Sequence, residues 1–174
     1  MTAEPADSAQ RDLATADEEF DAFYRAESAL LLRFLLRLGA TVADAADAAG
    51  HAFTEVYARW AYLNRPASYL RRVARNELFE LTRRPRTDAE RAFRACWTVE
   101  LVEDAYYQDE VQHVLTALSK LPPRQQEVMA WHYDGYTPKE IAELLEMKVN
   151  TVYSNLRHAK QTLRKLGVGE QQCL

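Results

Sequence analysis

From Glu18 onward, apolar residues return every third or fourth position, and no stretch alternates apolar with polar over strand length between turn signals. That spacing restricts the chain to amphipathic helices, each with one side to bury. Glu18 to Gly39 carries Phe20, Phe23, Tyr24, Leu30, Leu31, Phe34, Leu35 and Leu38 on this pattern, and Gly39 ends it. Asp44 to Trp60 offers Ala48, Ala49, Ala52, Phe53, Val56 and Tyr57. Gly50 within it either permits close packing or is simply tolerated. Pro66 suits the first position of a third helix, Ala67 to Arg84, with Leu70, Val73, Ala74, Leu78 and Leu81 inward and its arginines outward. Three such helices make a compact bundle.

Pro85 stops this bundle, and an acidic, mixed segment follows in which Phe93, Trp97, Leu101 and Val102 could form a short helix. A second helical unit begins near Gln108. Val111, Val114, Leu115 and Leu118 make one stripe before Leu121-Pro122-Pro123, and Arg124 to Tyr133 is a further helix closed by Asp134-Gly135. Thr137-Pro138-Lys139-Glu140 then reads as a helix start: Thr137 as N-cap, Pro138 at the first position, Glu140 completing a capping box. Ile141, Leu144 and Leu145 form its buried side. The last helix has a continuous apolar stripe of Val149, Val152, Leu156, Ala159, Leu163 and Leu166. The expected fold is all-α: two small helical domains joined by a linker, the second containing a helix-turn-helix. The expected divisions are a flexible acidic tail at 1–17, a first domain at 18–84, a linker at 85–107, a second domain at 108–167 and a C-terminal tail at 168–174.

With 5 Gly and 6 Pro among 174 residues, composition agrees with helices throughout. The formal net charge of −4 argues at first against nucleic acid, but the charges are segregated. Arg65, Arg71, Arg72, Arg75, Arg83, Arg84 and Arg86 crowd one segment, opposed only by Glu77 and Glu80. Lys148, Arg157, Lys160, Arg164 and Lys165 form a second basic stretch. Such blocks in an acidic chain imply local DNA contact with weak non-specific binding.

Catalysis finds no support in the sequence. It has no phosphate-cradling glycine loop, no nucleophile with a base, and no metal-ligand spacing among His51, His113, His132 and His158. Cys96 and Cys173 are too few for a four-cysteine zinc site. No cofactor is expected. The N-terminus is polar and acidic, without a signal peptide, and Ala29 to Leu38 is interrupted by Arg33 and Arg37 and too short to span a bilayer. The expectation is a cytoplasmic protein without stable membrane insertion.

Two constellations remain. The capped short helix, tight turn and longer helix form a helix-turn-helix pattern whose outer face shows Thr151, Tyr153, Ser154, Asn155, Arg157, His158, Lys160 and Arg164. Such a helix can enter a major groove, where Asn and Arg read base edges while Thr, Ser and Lys hold phosphates. An ordinary helical hairpin with a solvated face is the alternative. In the other, Trp60, Tyr62 and Tyr69 lie among Arg59, Arg65, Arg71, Arg72 and Arg75. Aromatic rings interleaved with arginines suit unpaired DNA. The three aromatics could equally be core residues at a helix corner.

The stretch LPPRQQEVMAWHYDGYTPKEIAELLEMKVNTVYSNLRHAKQTLRKLG resembles the fourth domain of bacterial sigma factors, which recognises the minus-35 element. FDAFYRAESALLLRFL, DAADAAGHAFTEVYARW and RPASYLRRVARNELFELTRR resemble the second domain, which binds the polymerase clamp and opens the minus-10 element. Both stand in the order of the sigma-70 family, with the short linker of its extracytoplasmic-function group. The resemblance implies a transcription initiation factor, not an enzyme. Its partners would be core RNA polymerase (the clamp of the large subunit and the flap) and promoter DNA, with room for an anti-sigma protein. It places Asp47, His51 and Glu55 against the clamp. It places Trp60, Tyr62, Asn64, Arg65, Tyr69, Arg72, Arg75 and Asn76 on the separated minus-10 strand. For the minus-35 element it implies Arg124 and Lys139 on phosphates, with Thr151, Tyr153, Ser154, Arg157, His158 and Lys160 in or beside the groove.

The chain departs from the family pattern at Gly50-His51, where a Gln-Glu pair is usual, and at Glu146 and Lys148, which replace a turn glycine and a serine cap. Asn150 is then the alternative cap and would start the helix later. Tyr153 and Asn155 stand where basic residues are usual, which implies a divergent promoter sequence. A helix-turn-helix regulator that binds an operator without polymerase would explain only the second domain. A decoy that binds polymerase without DNA is a third reading.

Overall fold

The computed structural model describes residues 5–83 and 109–168. The expected linker with its short helix, Arg84, Arg86, both cysteines and most of the C-terminal tail lie outside these residues. The described residues are all helical: α1 (Pro5–Arg37), α2 (Val42–Ala58), a 3-10 turn (Trp60–Tyr62), α3 (Pro66–Arg83), α4 (Asp109–Ser119), α5 (Pro123–Tyr133), α6 (Pro138–Leu144) and α7 (Val149–Lys165).

Most of these boundaries follow from local chemistry. Thr41 caps α2, its hydroxyl accepting from the Asp44 backbone at 3.2 Å. Gly39 and Gly135, at φ 91° and 90°, take the left-handed turns that end α1 and follow α5. The capping box of α6 forms in both directions: Thr137 Oγ1 accepts from the Glu140 N–H, and Glu140 accepts from the Thr137 N–H. Those Thr137 donors hold the Glu140 carboxyl below the usual carboxylate range.

Two expected ends differ. α1 begins at Pro5, inside the segment read as a loose tail, and Asp17 accepts a 2.8 Å bond from the Tyr57 hydroxyl. The stretch from Pro5 to Asp17 has no apolar stripe to announce it as helix. α7 begins at Val149 with Lys148 as N-cap and no side-chain cap, so Asn150 lies inside the helix instead of capping it. The turn before it is a Schellman closure: Met147 N–H donates to Ala142 O at 2.8 Å, with Glu146 at φ 52°. Glu146 thus adopts the left-handed conformation that a glycine would take without cost.

Helices α1, α2 and α3 pack on one another through Leu31, Phe34, Leu35, Ala48, Ala52, Val56, Leu70, Ala74 and Leu78, all buried. Gly50 has nothing within 4 Å of an added Cβ, so it is tolerated and serves no close contact. Tyr57, expected inside, is exposed. Helices α5, α6 and α7 pack together over Val128, Ile141, Val152, Leu156, Ala159 and Leu163. The core continues across the two units. Phe34 of α1 meets Trp131 of α5 edge-on at 4.8 Å, and Trp131 meets Tyr136 at 4.9 Å. In α5, Glu127, Val128, Met129, Ala130 and Trp131 are buried in succession, because the helix has α1 on one side and α7 on the other.

Candidate nucleic-acid interface

The outer face of α7 is the first candidate surface. Its apolar stripe faces α5 and α6, so Thr151, Tyr153, Ser154, Arg157 and His158 stand exposed on the opposite side. Arg157, Lys160, Gln161 and Arg164 line a shallow cationic groove of about 340 Å³. Lys139 is exposed on α6. Asn155 differs from this set: it is half-buried and its Nδ2 donates to Thr151 O at 2.8 Å, along its own helix.

The second candidate surface is α3 with the turn before it. Arg65, Tyr69, Arg72 and Asn76 recur at four, three and four residues and therefore share one helix face. Arg65, Arg72 and Asn76 are exposed there, as are Asn64 and, at 87%, Tyr62. Two guanidinium groups lie over the Tyr69 ring, Arg72 at 5.2 Å and Arg59 at 6.0 Å. The structure separates Trp60 from this strip. Its ring is half-buried, edge-on to Phe20 at 5.3 Å and against Phe23 at 5.0 Å, in an aromatic cluster shared by α1 and α2.

Asp47, His51 and Glu55 recur every four residues along α2 and form one outward row. His51 Nδ1 lies 3.6 Å from Glu77, and Glu55 lies 3.3 Å from Arg59.

Arg71 departs from the expected placement, and Arg75 and Arg124 are engaged by a carboxylate that the sequence did not announce. Arg71 was expected to face out with the other α3 arginines, yet it is 4% exposed. α5 and the turn after it cover it. Its Nε donates to Asp134, and its Nη1 donates to Glu27 at 2.8 Å and to Ala67 O at 3.2 Å. Burial alone would lower its pKa, but Asp134, Tyr136 and Glu27 outweigh burial and hold the guanidinium above its ordinary value. Arg37 approaches Asp134 at 3.9 Å. Beside this network the Tyr136 hydroxyl donates to Ser68 at 3.2 Å, and burial pushes that phenol up. Arg75 and Arg124, assigned to two different DNA elements, both bind Glu127. Arg75 Nε donates to Oε1 at 2.5 Å and Arg124 Nη1 to Oε2 at 2.8 Å. Gln126 Nε2 adds a 3.0 Å bond to Arg37 O.

The sequence reading missed Glu27, Gln126, Glu127 and Asp134. One signal was present: Glu127 leads directly into the apolar run Val128-Met129-Ala130-Trp131, where a carboxylate drawn into the core needs a buried partner.

Against known proteins, residues 112–163 match the family model of sigma-70 region 4. This segment is a sigma-70 region 4. The match covers α5, α6, α7 and most of α4, so the helix-turn-helix is region 4's own. The resemblance to the sigma-70 family read from the sequence is borne out. Two solved structures share the fold well beyond region 4. One is CnrH in complex with the cytosolic domain of CnrY, at 20% identity and TM-score 0.63, covering 88% of this chain and 92% of that one. The other is the sigma factor RpoE bound to the anti-sigma factor NepR from Bartonella quintana, at 17% identity and TM-score 0.65, covering 86% and 96%. No curated protein sequence matches the chain. No helix among the described residues is long and apolar enough to cross a membrane.

Proposed function

We propose that the protein is a sigma factor of the extracytoplasmic-function type, a non-catalytic cytoplasmic subunit that directs core RNA polymerase to promoters. One observation carries the reading. Region 4, with a polar and cationic outer face on α7, shares a chain with a three-helix unit whose α3 exposes an arginine–aromatic strip. Duplex and single-strand surfaces in one polypeptide fit a factor that must first recognise DNA and then open it. In this reading α7 enters the minus-35 major groove through Thr151, Tyr153, Ser154, Arg157 and His158, with Lys139 and Lys160 on phosphates. The strip Tyr62, Asn64, Arg65, Tyr69, Arg72 and Asn76 holds the minus-10 single strand. A base drawn out of the stack recovers part of its unstacking cost on the exposed Tyr62 ring. The row Asp47, His51 and Glu55 meets the polymerase clamp, and region 4 meets the flap. The likeness to RpoE bound to NepR supports an anti-sigma protein as a further partner.

Run-off transcription with purified core polymerase on genomic fragments tests this reading. The chain should yield discrete start sites, with permanganate-reactive thymines just upstream. Arg72→Ala with Asn76→Ala should abolish those thymines while polymerase binding persists. Operator-like duplex binding without polymerase association would replace this reading with that of a plain helix-turn-helix regulator.

A further inference from the structure

Glu127 has an arrangement that an ordinary interdomain ion pair would not need. It is 4% exposed, yet its two oxygens divide between arginines of different provenance. Arg75 comes from α3 of the first unit, and Arg124 from the first turn of α5 in region 4. Arg75 sits between two exposed members of the strip, three residues after Arg72 and one before Asn76. It also holds Asn76, Nη1 donating to Oδ1 at 2.9 Å, and its guanidinium lies 4.6 Å over the Phe79 ring. The pair is not sealed. A cleft of about 350 Å³ between the units is lined by Arg75, Phe79, Arg83, Arg124 and Glu127, so an anion can approach both guanidinium groups from solvent.

Arginine forks donate to carboxylate and phosphate oxygens with the same geometry. We propose that Glu127 is an internal phosphate surrogate. In the closed chain it occupies Arg75, which adjoins the α3 strip, and Arg124, which the resemblance places on minus-35 phosphate, and a DNA phosphodiester entering the cleft displaces it, freeing both arginines and separating α3 from region 4. Closure and DNA binding then compete for the same two cations, so the closed chain should bind DNA more weakly than a chain with Arg75 and Arg124 released. This inference rests on the DNA role proposed above for α3.

The test uses the full chain and fluorescence anisotropy over a salt series, with a labelled mixed-sequence duplex and the corresponding single strand. Glu127→Gln keeps the side chain's size and removes its charge. It should bind the duplex several-fold more tightly, with a slope of log affinity against log salt steeper by about 1 to 2, since each added phosphate contact contributes roughly 0.9. Glu143→Gln, an exposed carboxylate of α6, removes the same charge elsewhere and should leave the slope unchanged. A folded Glu127→Gln chain with wild-type slope overturns the proposal, as does an equal change in Glu143→Gln. If Glu127→Gln does not fold, the wild-type chain decides. The Arg75 Nε–H resonance, assigned by its loss in Arg75→Lys, should shift on duplex addition, and a resonance unmoved at saturation overturns the idea. A chain that shows the slope change but starts no transcription loses the sigma-factor reading and keeps the surrogate. An active factor with an unchanged slope loses only the surrogate.

Discussion

Replacing Arg71 with Ala separates an exposed arginine from a buried one by a wide margin. In the structure the guanidinium is all but inaccessible and donates to Asp134, Glu27 and Ala67 O, with the Asp134 side chain 4% exposed. Removing it leaves Asp134 buried beside only the more distant Arg37, and leaves Glu27 without its close cation. Breaking a buried pair from one side costs about 3–5 kcal/mol, a large part of the ~5–15 kcal/mol that holds a domain folded. For a chain of this size that lowers the unfolding midpoint by roughly 6–20 °C. An outward arginine on α3 would cost about 0–1 kcal/mol instead. Urea titration followed by circular dichroism measures the difference. Arg71→Ala combined with Asp134→Ala should cost less than the sum of the single changes by about 1–3 kcal/mol. A loss below about 1 kcal/mol for Arg71→Ala, or strict additivity in the double variant, would mean that α3 and region 4 do not pack this way in solution.

Glu146→Gly should stabilise the chain by about 0.5–1 kcal/mol in the same titration, because relief of the left-handed conformation exceeds glycine's added entropy when unfolded. On α7, Arg157→Ala should reduce the salt slope of duplex binding by roughly 0.9, whereas Asn155→Ala, whose amide serves its own helix, should leave the slope unchanged.

Tyr153 and Asn155 were both read onto the outer face of α7, and of the two only Tyr153 is exposed there. The difference between them shows what was legible in the sequence. Features set within one helical turn were readable: the Thr137–Glu140 box and the α7 stripe need no knowledge of neighbours. Features set by contacts far along the chain were not. Arg71 sits on a helix whose apolar positions account for one side, and nothing local shows that a second surface, 63 residues on, covers the next. Trp60 was ambiguous for a related reason, since Phe20 and Phe23, which decide its place, come from another helix. The helical state of residues 5–17 was missed because a stretch with no apolar stripe leaves no periodic trace. Within the candidate site, α3 and α7 were found, while the carboxylates that occupy Arg75 and Arg124 appeared only with the fold.

The union of α1 and α5 also sets a timetable for synthesis. Gln126 and Arg37 lie 89 residues apart, so at about 5–20 residues per second the C-terminal end of α1 leaves translation roughly 4–18 s before α5 exists. During that interval Phe34 has no Trp131 to cover it, and a nascent chain stalled before α5 presents an apolar ridge to chaperones and proteases. Truncation anywhere between α3 and α5 should therefore yield a first domain that is folded in outline but adhesive, and its recovery from cells should improve when α5 and the helices after it are supplied as a separate polypeptide.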